Sequence, residues 1–184
     1  YFSKTGKIHA DNTDGYGFIQ NIIDVMPDFE FYDKTALIYG AGGSARAIAS
    51  ALISNGIKEV GITNRTRAKA QIISENLGAK AIVVDWRSAP EMITNADIII
   101  NATSMGMIGQ PVFSQPISRA KKTALVVDIV YNPMVTDLLK EAKRLKLKTV
   151  GGIGMLINQA VPAFEHWFQK KPIIDDEIKR FLIE

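Results

Sequence analysis

Cysteine is missing from this chain, which excludes disulfides and thiolate chemistry and fits a reducing compartment. Histidine occurs only as His9 and His166, too few for a zinc site built from imidazoles, and no metal is expected. No apolar run reaches the roughly 18 residues of a membrane span, and no basic n-region with an apolar h-region opens the chain. The expectation is a cytoplasmic protein with no membrane partner. An excess of one charge is also lacking: 22 Lys and Arg oppose 19 Asp and Glu, for a net charge of +3. Basic residues such as Lys140, Lys143, Arg144 and Lys146 follow a helical pattern and read as a solvated face, so no nucleic-acid partner is expected. Fixed-period repeats and low-complexity linkers are missing as well.

What is present is a chain of 184 residues, 47% hydrophobic, enough for one well-buried core. Tyr1 to Ser3 and Ile8 to Ala10 read as the two strands of a hairpin turning at Lys4 to Lys7. A strand at Tyr1 reads as the continuation of an upstream segment. Asp14 or Thr13 is expected to cap a helix over Gly17 to Val25. Strand and helix patterns then alternate, the mark of a parallel sheet with crossover helices. Strands are expected at Thr35 to Tyr39, Glu59 to Thr63, Ala81 to Val84, Asp97 to Asn101, Ala124 to Val130 and Thr149-Val150. Helices are expected at Ser44 to Ser54, Arg67 to Leu77, Thr136 to Leu145, Met155 to Phe168 and Glu177 to Phe181. Ser88 and Glu91 have capping-box spacing for a short helix over Ala89 to Thr94.

The turn after the first apolar strand is Gly40-Ala41-Gly42-Gly43-Ser44-Ala45. It keeps the first two glycines of a dinucleotide fingerprint and has Ala45 in place of the third. Gly40 permits the tight turn, Gly42 the approach of a pyrophosphate, and the following helix offers amide hydrogens at its positive end. After the next strand an NAD-selective domain would place an acidic residue. Here the chain has Asn64, Arg65, Thr66, Arg67 and Lys69. A guanidinium that forks onto a 2′-phosphate, with Lys69 one turn further, favours NADP; Arg67 has the wrong phase to be counted with them.

Other polar residues are ambiguous at this level. Asp14 reads as a helix cap or as an acid-base or substrate-hydroxyl group. Thr103 and Ser104, at a strand's carboxyl end, either meet a ligand or cap their loop, and Met105 and Met107 are core filler or a pocket wall. Asp128, if buried, should accept hydrogen bonds. Tyr131 lies at a strand end, and Gln159 shares a helix face with Met155.

Asn12–Gly15 (N-T-D-G), Gly40–Gly43, Asn64–Thr66 (N-R-T), Asn101–Met107 (N-A-T-S-x-G-M), Tyr131–Leu139 and Gly152–Gln159 carry a resemblance. Together they resemble the nucleotide-binding portion of the shikimate dehydrogenase family, over essentially the whole chain. The resemblance implies an α/β fold, Rossmann-like and doubly wound, with a mainly parallel six-stranded sheet flanked by helices. It implies NADP-dependent interconversion of 3-dehydroshikimate and shikimate, in aromatic amino-acid biosynthesis, by a monomer or homodimer. Asp14 then works beside a lysine, and Tyr131 and Gln159 touch the substrate. Gly40, Ala41, Gly42, Gly43, Ser44, Asn64, Arg65, Thr66 and Lys69 cradle NADP, with Ile129, Gly152 and Met155 around the nicotinamide.

Members of that family carry a preceding substrate-binding domain that holds the lysine, which Lys4 and Lys7 do not match. The expected division is therefore 1–16 as the remnant and hinge of that domain, 17–152 as the NADP-binding domain, and 153–184 as C-terminal helices, one returning toward the substrate cleft. This chain alone is expected to be inactive. A quinate/shikimate dehydrogenase and a non-catalytic NADP-binding sensor remain as alternatives. A methylenetetrahydrofolate dehydrogenase type does not explain Asp14 together with Gln159.

Overall fold

Six short apolar runs become six parallel strands: β1 (Thr35–Tyr39), β2 (Glu59–Thr63), β3 (Ala81–Val84), β4 (Ile98–Asn101), β5 (Leu125–Asp128) and β6 (Lys148–Val150). The computed structural model describes residues 2–3 and 5–182, so the readings at Tyr1 and Lys4 lie outside the described residues. The strand order is β3-β2-β1-β4-β5-β6, and every pair is parallel. The order reverses between β1 and β4, where a doubly wound sheet opens a crevice at its carboxyl edge.

Among the described residues seven helices accompany the sheet: α1 (Asp14–Val25), α2 (Gly43–Ser54), α3 (Arg67–Leu77), α4 (Ala89–Met92), α5 (Asp137–Arg144), α6 (Ile153–Phe168) and α7 (Asp176–Phe181). Because strand side chains alternate, Ile98 and Ile100 join one core with Phe18, Ile22, Ile48 and Leu52. Ile99 joins a second core with Leu37, Tyr39, Phe113 and Leu138 on the opposite face. The Tyr39 ring meets Trp86 and Phe113 edge-on, with centroids 5.6 and 5.0 Å away.

Two glycines explain how α1 is wedged beside the sheet. A Cβ on Gly15 would sit 2.9 Å from Ala51 Cβ and 3.0 Å from the Ala47 carbonyl oxygen, both on α2. A Cβ on Gly17 would sit 2.7 Å from Gln159 N and 2.8 Å from the Met155 carbonyl oxygen, both on α6. Alanine would favour the helix by about 1 kcal/mol at either place. Close approach of three helices is the reason for glycine instead.

At the amino edge of the sheet, Asp97 staples β1 to β4. Its Oδ2 accepts from Thr35 N (2.9 Å) and Thr35 Oγ1 (3.2 Å), and its Oδ1 accepts from Lys121 Nζ (2.7 Å). Burial pushes this carboxyl up, but the Lys121 ammonium and the Thr35 donors outweigh it and hold it below its ordinary value.

Several local readings need correction. α1 starts at Asp14 rather than Gly17, and neither Asp14 nor Thr13 caps it; Asn12 Oδ1 accepts from Asp14 N instead (2.9 Å). Ser88 makes no capping bond, because its backbone is already helical (φ −91°, ψ −5°), and α4 ends at Met92. β5 stops at Asp128, whose carboxylate takes the Val130 N–H (3.0 Å) and turns the chain out of the sheet. The expected hairpin is a single antiparallel bridge between Phe2 and Ile8.

Candidate active site

The carboxyl edge at the strand reversal is built from backbone constraints first. Gly40 has φ +115°, and a Cβ there would lie 2.5 Å from the Ala102 carbonyl oxygen, so only glycine turns the chain from β1 past the end of β4. A Cβ on Gly42 or Gly43 would meet nothing within 4 Å, so the first turn of α2 presents its N–H groups to open space. Gly40 N donates to Thr63 O (2.8 Å), which brings the end of β2 and Asn64 beside that turn. Asn64 Nδ2 donates to Thr66 O (3.0 Å) and shapes the loop, while Arg65, Thr66, Arg67 and Lys69 are exposed. None of these three cations enters a salt bridge among the described residues.

A cleft of about 270 Å³ opens next to the turn. Asp14 and Ser44 form one side, Met155 and Gln159 of α6 another, and Ile129, Tyr131 and Gly152 a third; Thr103 and Met107 complete it. Gly40, Ala41, Gly42, Gly43, Asn64, Arg65, Thr66 and Lys69 are outside this cleft, on the adjoining turn and loop. A larger hollow of about 420 Å³ along α1 and α6 contains Tyr16, Asp24 and Asn158 but none of the expected site residues. Of the expected site residues, Asp14, Ser44, Ile129, Tyr131, Gly152, Met155 and Gln159 meet in the smaller cleft.

Each wall has a physical support. A Cβ on Gly152 would lie 2.7 Å from the Val130 carbonyl oxygen, so glycine lets α6 begin hard against the end of β5 and carries Met155 to Ile129. Asn21 Nδ2 donates to Gly151 O (2.9 Å) and ties α1 to the same point. Asp14 does not cap a helix: Ser44 Oγ donates to its Oδ2 at 2.9 Å. Asp14 and Gln159 are half-buried, and Tyr131 is exposed at the rim.

The remaining wall hangs on a buried network. Asn101 and Asp128 are fully buried neighbours on β4 and β5. Asn101 Nδ2 donates to Asp128 Oδ1 and to Met105 O, both at 2.9 Å. Asn101 Oδ1 accepts from Thr103 N (3.1 Å) and Oγ1 (2.6 Å), and Thr136 Oγ1 donates to Asp128 Oδ2 (2.6 Å). Burial raises the Asp128 carboxyl above its ordinary value against these hydrogen bonds, which pull it down. Thr103 therefore holds its loop, Met105 fills core and Met107 faces the cleft.

The sequence reading missed Thr136 as a partner of Asp128; a hydroxyl just before an amphipathic helix was its only signal. Among the described residues there is no group of three or more His, Asp or Glu able to hold a metal. No helix there is long and apolar enough to cross a membrane.

The parallel sheet, positive-φ glycine turn and open helix end define a Rossmann-type α/β fold of the dinucleotide-binding kind. The model of the shikimate/quinate 5-dehydrogenase family matches residues 24–155, and that of the shikimate 5′-dehydrogenase C-terminal domain matches residues 152–174. The chain belongs to the shikimate/quinate 5-dehydrogenase family. It is 45% identical to shikimate dehydrogenase (NADP(+)) of Paracoccus denitrificans over 182 residues, 99% of this chain and 64% of that protein.

Quinate dehydrogenase from Corynebacterium glutamicum, solved with NAD, superposes with a TM-score of 0.88 at 31% identity, covering 98% of this chain and 65% of that one. Shikimate 5-dehydrogenase from Listeria monocytogenes, solved with shikimate and NAD, gives a TM-score of 0.83 at 31% identity, covering 93% and 62%. The chain thus spans about 64% of the length of the curated relatives it matches.

Proposed function

We propose that this chain is the NADP(H)-binding part of a shikimate dehydrogenase, which interconverts 3-dehydroshikimate and shikimate. The observation that carries the reading is the single cleft where Asp14, Tyr131, Met155 and Gln159 converge beside the glycine turn. These residues come from three separated stretches of sequence. A turn built only for structure would not need a carboxylate, an amide and a phenol around one hollow.

The nucleotide fits the residues present. The open N–H groups at Gly42 to Ser44 suit a pyrophosphate, and exposed Arg65 and Lys69, in a stretch from Asn64 to Ala70 with no carboxylate of its own, suit a 2′-phosphate. Asn64 and Thr66 shape that loop, and Gly40 and Ala41 keep the turn clear of the dinucleotide. When bound, NADPH supplies the hydride. Ile129, Gly152 and Met155 form a largely apolar wall that excludes water from the reacting carbon.

On the substrate side, Asp14 accepts a hydrogen bond from a ring hydroxyl and orients the ammonium of a lysine supplied by a preceding substrate-binding domain. Gln159 fixes a neighbouring hydroxyl, and Tyr131 at the rim closes over the ring. Holding the ring in one pose makes the transfer effectively unimolecular. In this reading residues 1–16 are the hinge from the substrate domain, 17–152 bind the nucleotide, and α6 within 153–184 returns to the cleft. Oligomeric state, monomer or homodimer, does not enter the mechanism, and the expected location is the cytoplasm.

The test is 3-dehydroshikimate-dependent oxidation of NADPH by the full-length gene product, with quinate and NAD⁺ as a second substrate pair. Turnover that favours the shikimate pair, and collapses in Asp14→Ala, supports the reading. Preference for quinate with NAD⁺ replaces it with the quinate alternative. Tight NADPH binding without turnover of either pair replaces it with the sensor alternative.

A further inference from the structure

Ser44 belongs to the glycine turn in sequence, yet its hydroxyl serves the other side of the cleft. Oγ donates to Asp14 Oδ2 at 2.9 Å, linking the first turn of α2 to the first turn of α1 across a separation of 30 residues. Both residues are half-buried and both border the 270 Å³ cleft. The link exists because Gly15 lets α1 lie against α2: with any side chain at 15, Ala47 and Ala51 would hold the two first turns apart.

The two ends of Ser44 are thereby committed differently. Its backbone N–H is one of the unpaired donors at the α2 terminus, while its hydroxyl points away to the carboxylate. The bond occupies Oδ2 and fixes the side-chain rotamer, which leaves Oδ1 as the acceptor for a ligand. An aspartate at the start of a helix otherwise has several staggered rotamers to choose from. We propose that Ser44 is a positioning residue: its hydroxyl aims Asp14 at the substrate, and its side chain is not a ligand of the nucleotide. This rests on the proposed dehydrogenase reading, since it presumes that Asp14 meets the substrate.

Alanine at position 44 keeps the N–H and removes only the hydroxyl, so it separates the two commitments. In the full-length protein, Ser44→Ala should change the NADPH Kd by less than about twofold. It should lower kcat/KM for 3-dehydroshikimate about 10- to 100-fold, the loss of one hydrogen bond to a charged group. Ser44→Thr, which keeps the hydroxyl, should recover most of it. In an Asp14→Ala background, Ser44→Ala should add less than about a twofold further loss, because a residue that acts through the Asp14 side chain has nothing left to aim.

The inference is overturned if Ser44→Ala weakens NADPH binding by the factor it takes from kcat/KM, which would make the hydroxyl a cofactor ligand. It is equally overturned if the losses from Ser44→Ala and Asp14→Ala multiply, or if Ser44→Ala turns over like wild type. A wild-type protein that does not oxidise NADPH with 3-dehydroshikimate overturns the functional reading, and this inference with it, before any variant is compared.

Discussion

Replacing Gly17 with alanine sets helix propensity against packing at one carbon atom. Gly17 lies inside α1 with an ordinary helical backbone, so alanine there should gain about 1 kcal/mol of helix stability. Its Cβ, however, would stand 2.7 Å from Gln159 N, 2.8 Å from Met155 O and 2.9 Å from Gln159 Cβ. Two of these three atoms are backbone of α6, which has no rotamer to change. Ordinary contact needs about 3.5–4.0 Å, so α1 and α6 must part by roughly 1 Å.

Overpacking against rigid backbone belongs in the upper part of the usual range, about 2–3 kcal/mol. Packing therefore wins, and the net loss is about 1–2 kcal/mol. For a domain of this size that lowers Tm by about 3–6 °C. Because the displaced atoms belong to Gln159, on the substrate side, and Met155, on the nicotinamide side, the KM for 3-dehydroshikimate and the NADPH Kd should both rise. Thermal melting and steady-state kinetics of the full-length Gly17→Ala variant check both. A variant as stable as wild type, with an unchanged KM, would refute the claim that this glycine sets the cleft.

Gly61→Ala is the contrasting case: its Cβ would crowd Met92 Sδ and Cε, on a flexible side chain, and lie 2.9 Å from Val84 Cγ2, with no backbone atom among these contacts. The loss should be about 1 kcal/mol or less in urea unfolding, clearly smaller than for Gly17→Ala. Arg65→Ala should raise the KM for NADPH about tenfold and leave that for NADH nearly unchanged, since only the former carries a 2′-phosphate; equal effects on both would remove Arg65 from the phosphate site. Asp97 has a lowered carboxyl pKa in the folded state, so its contribution is present above the unfolded value of about 4 and is lost as pH falls through the lower folded value. Melting between pH 6 and 3 should show Asp97→Asn less stable than wild type at pH 6, with the gap narrowing toward pH 3.

Local signals in the sequence were strong where a run of apolar residues is bounded by turn residues. β1, β2, β3 and α3 begin and end where Thr35, Glu59, Ala81 and Arg67 and their closing residues predict. The glycine turn was legible because Gly40 and Gly42 meet backbone demands that a local motif records. Contacts between distant stretches were not. Nothing in periodicity pairs Ser44 with Asp14, or Thr136 with Asp128, and the capping role read into Asp14 gave way to a partner on another helix. Gly15 and Gly17 were invisible for the same reason: a glycine in a helix signals a close neighbour only once that neighbour is in place.

The most direct test is a crystal structure of the full-length protein with NADP⁺ and shikimate. The account predicts the pyrophosphate on the N–H groups of Gly42 to Ser44, the 2′-phosphate within reach of Arg65, and the nicotinamide against Met155. Shikimate hydroxyls should lie on Asp14 and Gln159. A nucleotide bound away from the glycine turn, or a substrate that touches neither Asp14 nor Gln159, would contradict it.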